Sequence, residues 1–158
     1  MDILLIHHIE NKWERELNSS GTSVHFECYK ILKFLKRQKS IKEVILTKAE
    51  NSDIEFEHLD IINYCIKKNI LFSIKQYRYG WIKNKEHTLD NLNKTWCYAS
   101  RFYYDNRDIL IIPDWIKKRK FSKFFLVGCF DHACINDMRD VFNSQKINFK
   151  EKKSLIVK

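Results

Sequence analysis

The chain has 158 residues, 44% of them hydrophobic and 31% charged, with a formal net charge of +9. That is the size of one ordinary domain with room for a single core, and three Gly and one Pro leave no flexible linker and little material for a Gly-rich sandwich or barrel. No apolar run approaches the roughly 20 residues that span a bilayer, and the first residues lack the basic flank of a signal peptide, so a cytoplasmic protein with no membrane partner is expected.

Five cysteines (Cys28, Cys65, Cys97, Cys129 and Cys134) are odd in number and form no CxxC pair. This argues against a disulfide framework or a zinc ribbon, and it makes Cys28 and Cys65 expected core residues. The excess of Lys and Arg suits an anionic partner: a nucleotide-like ligand, a phosphorylated metabolite or nucleic acid.

In chain order, Ile3–His8 reads as a buried strand, because a continuous apolar run suits the centre of a parallel sheet. A polar stretch to Ser23 follows. Val24, Cys28, Ile31, Leu32 and Leu35 then recur at helical spacing, and Lys36 and Arg37 close the last turn. Val44–Thr47 reads as a second strand, Glu57–Lys68 as a second helix and Ile70–Ile74 as a third strand.

Regularity fades between Lys75 and Asn106, a segment rich in aromatic and basic residues, read as an irregular insertion or lid with helical character near Leu89–Tyr98. Asp108–Ile112 is a strong apolar run stopped by Pro113, followed by a short helix over Asp114–Lys120 with Trp115 and Ile116 facing inward. Phe124–Val127 is the next strand. Ile135, Met138, Val141 and Phe142 mark a helical face, and Leu155–Val157 closes the sheet as an edge strand. Strands alternating with helices predict one α/β domain over 1–158, a three-layer sandwich around a mostly parallel sheet of five or six strands.

In such a sheet the carboxyl ends of the strands share one edge, where ligands bind. That edge is expected to gather His7, His8 and Glu10 after the first strand and Lys48 after the second. Tyr77 and Arg78 follow the third, Asp114 the fourth, and Asp131, His132 and Cys134 the fifth. Cys134 is the leading nucleophile, because a thiol in the first turn of a helix meets unpaired backbone N–H groups and the positive end of the dipole, which favour thiolate. Asp131, His132 and His7 are the expected acid–base partners, and His8, Glu10, Tyr77, Arg78, Trp81 and Asp114 the expected ligand contacts.

His7, His8, Asp131 and His132, with Cys134 as a further donor, are the residues to weigh as metal ligands. Adjacent strand residues point to opposite faces, so His7 and His8 do not converge on one ion, and no metal or other cofactor is assigned. No Walker loop or GxGxxG occurs.

The stretch Leu126-Val127-Gly128, then Cys134-Ile135, the acidic helix Asp137–Phe142 and a late strand resembles the nucleophile segment of isochorismatase-like cysteine hydrolases, over about thirty residues. The resemblance implies a compact α/β fold, hydrolase activity and Cys134 as nucleophile. That family also uses an aspartate just after the first strand and a lysine ahead of the nucleophile. Here His7 or His8 stands where the aspartate would be, and no lysine occupies a recognisable family context. A second expectation is a non-enzymatic accessory factor of phage or mobile-element type. It would bind nucleic acid, a nucleotide or a protein through Arg78, Trp81 and Lys83 with the aromatic residues beyond them.

Overall fold

A computed structural model describes residues 1–7, 24–49, 58–77, 101–104, 107–110, 112–129 and 134–157. Seven strands and four helices occur among them: β1 (Asp2–His7), α1 (Val24–Arg37), β2 (Ile41–Ala49), α2 (His58–Lys67), β3 (Leu71–Tyr77), β4 (Arg101–Tyr104), β5 (Arg107–Leu110), α3 (Asp114–Lys117), β6 (Lys123–Cys129), α4 (Cys134–Ser144) and β7 (Asn148–Val157). Five strands form one sheet in the order β3-β2-β1-β6-β7, every neighbouring pair parallel. The chain is thus an α/β protein.

The apolar run of β1 is explained by its place in the middle. Side chains of a strand alternate between faces, and here both faces are covered. Leu4 and Ile6 join Val44, Leu46 and Val127 in one cluster with Cys28, Ile31 and Leu35 of α1 and Ile61 and Cys65 of α2. Ile3 and Leu5 join Ile45, Phe124 and Leu126 in a second cluster with Ile116 of α3 and Ile135, Met138, Val141 and Phe142 of α4. Phe142 is the hub of this second cluster, its ring 4.8 Å from that of Phe124 and 5.1 Å from that of Phe149. An ion pair between Arg139 and Glu151 (2.6 Å) ties α4 to β7 at the border of the same cluster.

With glycine so scarce, two helices end without it. Ile70 N–H donates to Cys65 O (2.9 Å) and Asn69 N–H to Ile66 O (3.2 Å), closing α2 with Asn69 in the left-handed region at φ 55°. The end of α4 repeats the pattern. Ile147 donates to Phe142 O (2.9 Å), Lys146 to Asn143 O (3.1 Å), and Lys146 sits at φ 53°. Asn tolerates this conformation through its short polar side chain, whereas Lys146 adopts it against its intrinsic preference.

Two expectations are corrected. The run at Asp108–Ile112 is not a strand of the parallel sheet: β5 pairs antiparallel with β4 in a separate two-stranded sheet. A partner only two residues away, across Asp105 and Asn106, costs far less loop closure than a place in the main sheet. As a consequence Asp114 does not follow a strand of that sheet. It is the exposed first residue of α3, 3.6 Å from Lys117, on the segment that feeds the starting end of β6.

The last strand is longer than Leu155–Val157, because it begins at Asn148 and its register with β6 shifts between Leu126 and Gly128. The helical character expected near Leu89–Tyr98 and the lid function of 75–106 fall largely outside the described residues.

Candidate functional site

The chain lays down β1, β2 and β3 toward one side, then returns past β1 to place β6 and β7 on the other. The order therefore reverses between β1 and β6. In open parallel sheets the crevice outside the carboxyl ends of two such strands is the usual ligand position, because the chain leaves them toward opposite faces. Here β1 is followed by α1, which packs in the first cluster, and β6 by α4, which packs in the second.

His7 closes β1 beside this crevice, paired in register with Thr47 of β2 on one side and Gly128 of β6 on the other. It is buried, and its Nδ1 lies 2.6 Å from Thr47 Oγ1 in a hydrogen bond. Alternation from Ile3 and Leu5 puts His7 on the face covered by α3 and α4, and alternation from Ile45 puts Thr47 there too. Thr47 thereby fixes the plane of an imidazole that would otherwise rotate.

Gly128 lets the two strand ends come together. It stands at φ 123°, outside the range of L side chains, and a Cβ built on it would lie 1.9 Å from His7 O. The glycine that ends the apolar run of β6 is therefore a close-approach position as well as a turn signal.

Cys134 is the first residue of α4, five residues beyond the end of β6 at Cys129. Cys134 therefore stands at the very N-terminus of α4, where backbone N–H groups lack helical partners. His7 and the start of α4 thus belong to the same side of the same crevice.

Tyr77 ends β3 at the same sheet edge but two strands away from β1, and Lys48 is half-buried near the end of β2. His8, Glu10, Arg78, Trp81, Lys83, Asp131 and His132 lie outside the described residues. Asp114 is removed from this edge for the reason given above.

Two further polar residues of this edge were not singled out from sequence. Thr47 is legible only once the β1–β2 register is known, and His58, buried at the first position of α2, reads as an ordinary surface residue in a linear sequence. The thiols of Cys28 and Cys65 are buried in the first cluster, as their helical spacing indicated. Burial pushes the Cys65 thiol up to about 11, which keeps it protonated and inert near neutrality.

Among the described residues no three His, Cys, Asp or Glu side chains are grouped to hold a metal ion, and no helix is long and apolar enough to cross a membrane. No protein-family model, curated protein or solved structure matches the chain. Its class rests on its own geometry: an α/β protein with a parallel sheet and one reversal of strand order.

Proposed function

We propose that the chain is a small cysteine-dependent hydrolase, similar in design to isochorismatase-like enzymes, that takes a small anionic or nucleotide-like ligand in the β1/β6 crevice. The observation that supports this reading is a buried, hydrogen-bonded histidine ending β1 on the face covered by α4, the helix that Cys134 begins, where the strand order reverses.

In this reading the Cys134 thiolate forms a C–S bond with a substrate carbonyl carbon. The proton released by the thiol passes, through His7 or His132, to the leaving amine as the C–N bond breaks. Water then attacks the thioester, releases the acid and restores the thiol proton. Asp131 orients the proton carrier, and the start of α4 supplies N–H groups to the developing oxyanion. Thr47 is a positioning residue, holding the His7 ring.

The test is amine release from a panel of small anionic carboxamides by wild-type protein and by Cys134→Ala, with far-UV circular dichroism as the check on folding. Turnover by the wild type that disappears in a folded Cys134→Ala supports the mechanism. Equal turnover in both removes it.

A further inference from the structure

The opposite edge of the sheet points to a different partner. Every strand of a parallel sheet starts at the same edge, so the segments leading into β3, β2, β6 and β7 stand in a row, with the start of β1 in the middle. At about 4.8 Å between strands the row is about 19 Å long.

These four segments (residues 67–70, 36–42, 117–123 and 144–150) all contain Lys or Arg and none contains Asp or Glu. Of the acidic residues early in the strands, Glu43 is neutralised by Arg119, whose guanidinium grips both carboxylate oxygens at 2.7 to 3.1 Å, and Asp2 is half-buried. Lys118 and Lys120 are exposed, Lys123 is half-buried, and exposed Lys117 lies 3.6 Å from Asp114.

Basic residues at helix ends complement the dipole, and this accounts for part of the row. It does not account for its densest part. α3 has only four residues and little dipole to complement, yet Lys117, Lys118, Lys120 and Lys123 cluster at its end. Among them Phe121 is 92% exposed, with Lys120 Nζ 4.8 Å from its ring centre. A phenylalanine that buries nothing adds nothing to the fold. An aromatic face presented between lysines is what an unstacked base and its flanking phosphates bind.

We infer that the starting edge of the sheet is a single-stranded nucleic-acid interface, in which Phe121 stacks on a base and the row of basic segments meets successive phosphates. A membrane surface fits less well, because the exposed apolar side chains of this edge, Met1, Leu71 and Phe121, belong to three separate segments, where insertion needs a continuous apolar face. This interface is separate from the β1/β6 crevice and stands or falls without it.

The test is fluorescence anisotropy of a labelled oligothymidylate of about 20 nucleotides against the full chain, titrated between about 20 and about 200 mM salt. One phosphate per basic segment, about four in all, gives a slope of log K against log salt of about −3. Lys118→Gln with Lys120→Gln, which removes the phosphate contact of one segment, should flatten that slope by about 0.7, and Phe121→Ala should weaken binding at least about fivefold while leaving the slope unchanged. Both variants alter exposed side chains, and unchanged circular dichroism verifies the fold. Lack of binding at the lowest salt, or equal binding by wild type and both variants, overturns the inference. Binding to phosphatidylserine vesicles without binding to the oligonucleotide overturns it in favour of a membrane surface.

Discussion

The two edges of the sheet are built on opposite principles. At the finishing edge, long-range register sets buried His7 against Thr47 and Gly128 against the His7 backbone, and Cys134 heads α4 on the face that His7 shares. At the starting edge little polar is buried apart from the Arg119–Glu43 pair, and the exposed surface is basic in every segment.

Much of the basic charge of the described residues lies along the starting rim. Overall charge alone says that an anion is attracted but not where, and the direction of the strands supplies that missing information.

The contrast can be broken most forcefully at Gly128. Replacing it with alanine drives a Cβ onto His7 O in a backbone conformation closed to L residues, so a loss of about 3 kcal/mol or more is expected, read by urea denaturation. A loss below about 1 kcal/mol would mean that the β1 and β6 ends are not held at this distance.

The ion pair at the starting edge between half-buried Arg119 and buried Glu43 comes next. Arg119→Ala leaves the Glu43 carboxylate, 6% exposed, without its guanidinium and should cost about 3 kcal/mol, whereas Glu43→Leu combined with Arg119→Leu should recover most of it. The same denaturation series measures both, and additive losses would show that the two groups do not act as a pair.

A smaller effect is expected at the finishing edge. Thr47→Val removes the hydrogen bond to His7 Nδ1 and should cost about 1 kcal/mol, with a larger proportional loss of any turnover because the ring is no longer oriented. Equal losses of stability in the presence and absence of a bound ligand, with turnover unchanged, would confine Thr47 to packing.

Alkaline pH provides a related but gentler probe. Cys65 is raised by burial from 9.0 to about 11, so the folded state holds its proton more tightly than the unfolded state. The stability this provides is complete below pH 9 and declines as pH rises toward 11. Cys65→Ala should show less of that decline in thermal melts taken across this window. The smallest expected change is a gain: Lys146→Gly relieves a left-handed lysine and should stabilise the fold by about 0.5 kcal/mol, after the added freedom of the unfolded chain is subtracted.

What could be read from sequence, and what could not, follows the range of the interactions. The apolar run of β1 and the helical spacing of Cys28, Ile31 and Leu35 are local signals, and they placed the main elements within a few residues. The hairpin of β4 and β5 was misplaced because an apolar run reports that a strand exists without reporting its partner. His7 and Cys134 were recognisable by residue type, but Thr47 became visible only through a pairing across forty residues. Phe121 was missed because an aromatic residue ahead of a strand reads as core, and only its position outside both clusters shows otherwise.

The most direct test of the proposed chemistry is residue-resolved alkylation of the full chain by iodoacetamide across neutral pH, read by mass spectrometry. Cys134 at the head of α4 should react at least about tenfold faster than an ordinary thiol, while Cys65 stays unmodified. A Cys134 as unreactive as Cys65 would contradict its assignment as nucleophile and leave the finishing edge without its proposed chemistry.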